Sequence, residues 1–161
     1  AVHARDRRGV SHAVARDVAE DRALPDAAGP GGVRPDAVPL RRREAREVER
    51  YNRLHPTQAP RSSHVATCLA DPLPVIAATD YVAAYPQLIA GHVGNRFVAL
   101  GTDGFGRSDT RQALRSFFEV DRHHIVVAAL DSLRDQVPRT VVAEAIERYG
   151  INPDAGAPWT R

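Results

Sequence analysis

The segment 101–109 has the residue types of a ligand-binding loop. Three glycines fall within six residues, with Arg107 and two carboxylates, Asp103 and Asp109, beside them. Glycines after a strand allow a close backbone approach or a positive φ, and glycines before a helix can bind an anion. The spacing Gly-x-x-Gly-x-Gly is not the dinucleotide fingerprint, and the chain has no lysine for a P-loop. The pattern therefore favours a structural turn, fixed by hydrogen bonds to the carboxylates, over phosphate binding or acid–base catalysis.

The histidines and the cysteine do not form a recognisable site. His123 and His124 are adjacent, so they cannot both face one metal ion from a helix. Cys68 is the chain's one cysteine, which excludes an intrachain disulfide and a multi-cysteine zinc site. We expect it to be a buried, inert thiol on an apolar helix face, because no basic residue adjoins it. Three further histidines also lack metal-ligand spacing: His55, His64 and His92. Residue types and spacing alone therefore give only a weak case for a catalytic residue, a cofactor-binding residue or a metal ligand in this chain.

The overall composition is that of a soluble globular protein. The chain has 161 residues, of which 43% are hydrophobic and 26% charged, and this suits one domain. No apolar run approaches the roughly 18 residues that cross a bilayer. The chain does not open with a basic segment and an apolar run, the pattern of a secretory signal. Together with the single cysteine, these features predict a cytoplasmic protein with no membrane association.

The positive charge is concentrated in the first segment. All 22 basic residues are arginine, against 20 acidic residues. Residues 1–43 hold 9 Arg and 6 acids, whereas residues 44–161 hold 13 Arg and 14 acids. A nucleic-acid-binding protein would place basic residues on a folded face, with aromatics or a known module. That pattern is absent, so we predict no nucleic-acid partner; binding through the arginine-rich front would have to fall steeply with salt.

Residues 1–43 differ from the rest in composition. Ala, Arg, Val, Asp, Pro and Gly make up 37 of these 43 residues, and a Gly/Pro cluster lies at 27–32. A short helix over 12–24 is possible, but the segment has too few large apolar groups to offset the entropy of ordering. Three interpretations stay open: a disordered tail, a basic arm for an acidic partner, and translation out of the natural frame of a GC-rich gene.

From Glu44 onward the pattern predicts regular secondary structure. A helix over 44–54 ends at His55-Pro56, and Ser62 or Ser63 caps a short helix that runs to residue 70. Strands are expected at 75–79 and 96–100. Asp80 is the expected N-cap of the helix between them, which must kink or restart at Pro86. Strand, helix and strand within about 25 residues indicate a parallel βαβ unit.

Three helices are expected after the second strand. Asp109 would cap the first, which runs to Phe118, with Gln112 at the third helical position as in a capping box. Asp121 would cap the second, and the third covers 139–149 with Gly150 as its C′ residue. The tail 151–161 is polar and contains proline, so we expect it to be frayed.

Five stretches, in order, resemble one family. The longest is Leu100-Gly-Thr-Asp-Gly-Phe-Gly-Arg-Ser-Asp-Thr-Arg111. The others are Glu49–Pro56, 77–81, 118–121 and 125–130. These residues resemble the C-terminal domain of the homodimeric bacterial pyruvate dehydrogenases, which are transketolase-like, thiamine-diphosphate-dependent enzymes. The resemblance covers residues 44–150.

The resemblance implies an α/β, transketolase C-terminal-domain-like three-layer fold with a mixed, mostly parallel sheet. The family has a first strand, a helix and a second strand where this chain has residues 1–43, and we do not find them there. We therefore expect three parts: a non-family segment 1–43, a partial domain 44–150 that is incomplete at its N-terminal side, and a tail 151–161. Exposed sheet edges would make such a piece poorly stable and prone to association.

The resemblance also implies a function. Enzymes of this family oxidatively decarboxylate pyruvate and pass the acetyl unit to lipoyl groups of the acyltransferase component. Thiamine diphosphate and Mg²⁺ are held by other domains, so we expect this piece to bind neither and to be inactive alone. We expect it to support assembly with those domains and with a homodimer partner. A stand-alone binding module derived from the domain is the alternative.

The residues expected to act in assembly are those of the loop. They are a structural or interface feature in this interpretation, and their contacts are not defined by the sequence. The loop residues are Gly101, Thr102, Asp103, Gly104, Phe105, Gly106, Arg107, Ser108 and Asp109.

Overall fold

The first helix begins upstream of its predicted start. The computed structural model describes residues 37–161, and α1 spans Ala37–Leu54. The predicted start at Glu44 is therefore wrong, because Pro39 falls in the first turn, where a missing N–H is tolerated, and Val38 is buried. The expectations for the helix over 12–24 and the cluster at 27–32 lie outside the described residues.

A short second helix packs against α1. Helix α2, His64–Cys68, is capped by Ser63, whose Oγ accepts a hydrogen bond from the Ala66 N–H at 3.1 Å. Val38 of α1, Val65 of α2 and Ile89 form a buried apolar cluster. The upstream extension of α1 therefore contributes a side chain to this core.

The sheet confirms the α/β class. Strands β1, Val75–Ala78, and β2, Phe97–Leu100, are parallel, with Val75 opposite Phe97 and Ala78 opposite Leu100. They are the two strands in the part of the chain that the structure describes. β1 is buried along most of its length, whereas β2 is half-buried throughout.

The connection between the two strands contains less helix than expected. Helix α3 spans only Ala84–Gln87, and a 3₁₀ turn follows at Ala90–His92. Asp80 does not cap α3, whose N-cap is Ala83. Pro86 lies inside α3 and has no N–H to donate, which limits the regular hydrogen bonding around it. Ile89, which lies between α3 and the 3₁₀ turn, is nevertheless buried in the apolar core.

Three helices follow the sheet. They are α4, Arg111–Phe117; α5, Arg122–Ser132; and α6, Arg139–Arg148. Helix α5 packs against both strands and against α6. Asp121 caps α5 as predicted and accepts hydrogen bonds from the His123 and His124 N–H groups, both at 3.0 Å. Gly150 follows α6 with a φ of 64°, the left-handed conformation expected of a C′ glycine.

The C-terminal tail is ordered rather than frayed. Residues Pro158–Thr160 form a 3₁₀ turn, and Pro158 is buried. The Arg161 side chain donates a hydrogen bond to the Phe117 carbonyl oxygen at 3.1 Å. The expectation of fraying is therefore wrong, because these contacts hold the tail against the end of α4.

Candidate functional site: the loop at residues 101–109

The start of the loop lies against the segment that follows β1. The Thr102 N–H donates to the Tyr81 carbonyl oxygen at 2.8 Å, and Asp103 Oδ1 accepts from the Ala83 N–H at 3.2 Å. A Cβ at position 101 would lie 2.2 Å from the Ala83 backbone nitrogen. Residue 101 must therefore be glycine for the two segments to approach this closely.

The middle of the loop lies against the tail. Gly104 has a φ of 123°, and a Cβ there would lie 3.1 Å from Trp159 Cα. Gly106 has open space around it. The structure therefore explains why residues 101 and 104 are glycine. Their small size allows the backbones of three segments to approach one another: 79–83, 101–104 and 157–160.

The end of the loop joins α4 through an aromatic ring. The guanidinium carbon of Arg107 lies 3.9 Å from the Phe117 ring centroid, and that of Arg161 lies 4.8 Å from it. An open cleft of about 420 Å³ is lined by Arg107, Ser108, Asp109 and Phe117. Cation–π contacts of this kind are favourable at exposed sites by about 0.5–1 kcal/mol.

The cap of α4 differs from the prediction by one residue. Thr110 is the N-cap, and its Oγ1 accepts from the Ala113 N–H at 3.2 Å. Asp109 Oδ1 accepts from the Thr110 N–H at 2.7 Å. Gln112 therefore precedes the capping-box position, and that prediction is wrong. Both loop carboxylates accept backbone N–H groups, the loop-fixing arrangement that the sequence favoured.

Asp80 ties the end of β1 to α4. Its carboxylate accepts from Arg115 Nε and Nη2, both at 2.8 Å, and from Arg111 Nη2 at 3.1 Å. These hydrogen bonds, with that of Arg115 the strongest influence, hold the pKa of Asp80 below its usual value despite partial burial. Sequence reasoning placed Asp80 as a cap, and an aspartate 35 residues from its arginine partner gave no local signal.

Large apolar side chains are exposed around the loop. Phe105 is 87% exposed, Tyr81 62% and Trp159 60%. We call these three residues the aromatic face. Tyr81 and Trp159 lie on two of the segments whose backbones meet at the loop, and Phe105 directly follows the third. Exposed aromatics of this kind are enriched at protein interfaces. The sequence singled out Phe105 within the loop, but it did not predict that Tyr81 and Trp159 lie on segments that reach the loop.

The other candidate residues do not join this site. Cys68 is exposed, with its Sγ 3.3 Å from His64 Nε2, so the expectation of a buried thiol is wrong. His124 Nδ1 lies 2.8 Å from Asp121 Oδ1, whereas the His123 ring stacks on Tyr149. The two adjacent histidines thus face different partners.

The pKa of Asp121 reflects two opposing influences. Burial raises the pKa of Asp121, but the hydrogen bonds from the backbone N–H and the side chain of His124 lower it by more than burial raises it. The pKa therefore lies below its usual value. The carboxylate therefore stays ionised as the cap of α5. This is the behaviour of a structural group rather than of a general acid.

Comparison with known proteins identifies the fold family. The profile of the transketolase-like TK C-terminal domain matches residues 44–121. The match covers just under half of the chain. The transketolase-like domain thus contains α2 to α4, both strands and the whole of the loop 101–109.

Similar proteins share a single name. The chain is 54% identical over 121 residues to the pyruvate dehydrogenase E1 component of Cupriavidus necator, covering 73% of this chain and 14% of that protein. It is 52% identical to the same component of Pseudomonas aeruginosa, with the same coverage. The Escherichia coli component is 42% identical over 115 residues, 70% of this chain and 13% of that protein. The chain therefore spans about one seventh of the length of these relatives.

The described residues do not provide a set of ligands for Mg²⁺. Within residues 37–161, no group of three or more His, Cys, Asp and Glu side chains is arranged to hold a metal ion. Each of the loop's two carboxylates accepts one backbone N–H through its Oδ1. In the same part of the chain, no helix has the length and apolar character needed to cross a membrane.

Proposed function

We propose that this chain is a C-terminal portion of a pyruvate dehydrogenase E1 component. The identity to three such components over most of the chain is the observation that carries this proposal. In the complete enzyme, pyruvate would be oxidatively decarboxylated and the acetyl unit passed to lipoyl groups of the dihydrolipoyl acyltransferase component. Thiamine diphosphate would supply the electron sink for decarboxylation, and it and Mg²⁺ would be held by the parts of the enzyme that this chain does not span.

The role proposed for this piece is assembly. The aromatic face is apolar and exposed, and its backbone is fixed by Gly101, Gly104 and the hydrogen bond from the Ala83 N–H to Asp103. A rigid apolar surface loses little conformational entropy when it is covered, which makes it suited to docking. We propose that the loop 101–109 contacts the remaining domains or the homodimer partner, and that the chain alone is inactive.

A chimaeric enzyme tests this proposal. The segment of the Cupriavidus necator component that aligns with this chain is replaced by residues 44–161, and pyruvate-dependent activity is measured with the acyltransferase component present. We expect the chimaera to keep activity within about tenfold of the parent, since the two segments are 54% identical. Pyruvate turnover by residues 1–161 alone would contradict the proposal that this chain carries no catalytic group.

A stand-alone binding module is the second candidate. It is supported by residues 37–43 of α1, which lie ahead of the family match and place Val38 in the core. Such a module would give a sharp, cooperative thermal unfolding transition as an isolated monomer. A piece that lacks strands of its sheet would unfold broadly or associate through its edges.

A further inference from the structure

One face of α1 carries a row of arginines. Residues 42, 46, 50 and 53 are all arginine and all exposed. At 3.6 residues per turn and 1.5 Å per residue, they fall within about 80° of the helix surface and extend over about 16 Å. We call these four residues the arginine row.

The acids of α1 are already engaged by other groups. Glu44 accepts from the His64 backbone N–H at 3.2 Å, Glu47 pairs with Arg43 at 3.2 Å, and Glu49 lies 2.7 Å from His92 Nδ1. No residue of the arginine row makes an ion pair or side-chain hydrogen bond within residues 37–161. Like charges four residues apart on a helix repel one another, so the row would gain from an anionic partner.

We infer that the arginine row is a docking surface for an acidic protein segment. Carboxylates at positions i, i+4, i+8 and i+11 of a partner helix would have the same spacing of about 6 Å as the row. Each guanidinium can then bind a carboxylate, which its planar fork of donors suits. The surface lies on α1 and is separate from the aromatic face.

Two observations favour an acidic protein over a nucleic acid. The one aromatic residue of α1, Tyr51, is covered by His55 and by Arg61, whose guanidinium lies 3.4 Å from the ring centroid, so no base can stack there. The net charge of the whole chain is only +2, so there is no broad basic field.

A binding experiment with the complete 161-residue chain tests this inference. The probe is a fluorescent helical peptide of about 16 residues with glutamates at the four spaced positions. The quadruple variant Arg42→Gln/Arg46→Gln/Arg50→Gln/Arg53→Gln is compared with Arg96→Gln/Arg134→Gln/Arg139→Gln/Arg148→Gln, which removes the same charge from exposed arginines elsewhere. We expect about a tenfold loss of affinity in the row variant, as for four exposed ion pairs, and less than a twofold loss in the control.

Several outcomes would overturn the inference. Equal losses in the two variants would mean that only net charge matters. Tighter binding of a single-stranded oligonucleotide than of the peptide would assign the row to nucleic acid, and absence of peptide binding at low salt would remove the surface altogether. If circular dichroism shows that the quadruple variant is unfolded, Arg46→Gln/Arg50→Gln replaces it, with Arg139→Gln/Arg148→Gln as its control.

Discussion

Arg115 of α4 donates two hydrogen bonds of 2.8 Å, from Nε and Nη2, to the carboxylate of Asp80, which lies just beyond the end of β1. The loop 101–109 runs from β2 to α4, and β2 pairs with β1. Because the bidentate contact joins the end of β1 to α4, it holds the two ends of the loop near each other. The segment after Asp80 in turn receives the loop's first hydrogen bonds. The geometry of the loop therefore depends on an ion pair outside it.

Substitution of Asp80→Asn is expected to destabilise the chain modestly at neutral pH. The pair is about half exposed, so a loss of about 0.5–1 kcal/mol in the free energy of unfolding is expected. The pKa of Asp80 is lower in the folded chain than in the unfolded one, so its contribution is present above the unfolded value of 3.8 and is lost as pH falls through the folded value. Urea unfolding at pH 7 and at pH 3 measures this. A stability difference that persists undiminished at the lower pH would contradict the assignment.

Gly101→Ala is expected to displace the loop. The new Cβ would lie 2.2 Å from a backbone nitrogen, which no side-chain movement can relieve. A cost of about 3 kcal/mol or more is expected, at the upper end of overpacking effects. Gly106→Ala is the matched control, because its Cβ meets open space. Urea midpoints followed by circular dichroism compare the two, and equal midpoints would show that the segments do not approach this closely.

Gly104→Ala is expected to release the tail. Alanine is strained at a φ of 123°, and its Cβ would press on the backbone of Trp159. Trp159 is the chain's one tryptophan, so its fluorescence reports on the tail directly. We expect a change in emission and faster proteolytic removal of residues 157–161 in the variant. Unchanged emission and proteolysis would show that the tail does not depend on Gly104.

The exposure of Cys68 can be checked chemically. As the one cysteine and an exposed one, it should react with an aromatic disulfide reagent in the native chain at a rate within about tenfold of that in urea. The rate is read from the released thiolate. Labelling that requires unfolding would restore the buried thiol expected from the sequence.

Local signals in the sequence predicted the elements well. The parallel pairing of β1 with β2 followed from their apolar runs and the short interval between them. Asp121 was predicted as a cap, and Ser63 was one of the two candidates for the cap of α2, because a cap needs only the residues that follow it. Gly150 was predicted at its left-handed position for the same reason.

Contacts between distant residues were not predicted. Asp80 was predicted to be a cap because its partner Arg115 is distant in the sequence and near only in the folded chain. Cys68 was predicted to be buried because the sequence does not show which face of the short α2 turns toward the core. The order of the tail depends on Pro158 and Arg161 meeting the loop and α4, which no periodicity within 151–161 reveals. The aromatic face likewise forms from three separate segments.

The aromatic face provides the most direct test of the assembly role. In the chimaeric enzyme that carries residues 44–161, the variant Phe105→Ser is compared with Leu54→Ser. Leu54 is also an exposed apolar residue, but it lies on α1, away from the loop sequence. The oligomeric state of each variant is measured by sedimentation. The proposal predicts that Phe105→Ser weakens assembly and lowers pyruvate-dependent activity by about tenfold or more, as loss of an interface hot spot does, while Leu54→Ser changes neither. A fully assembled, fully active Phe105→Ser enzyme would contradict the proposal that the loop is an assembly surface.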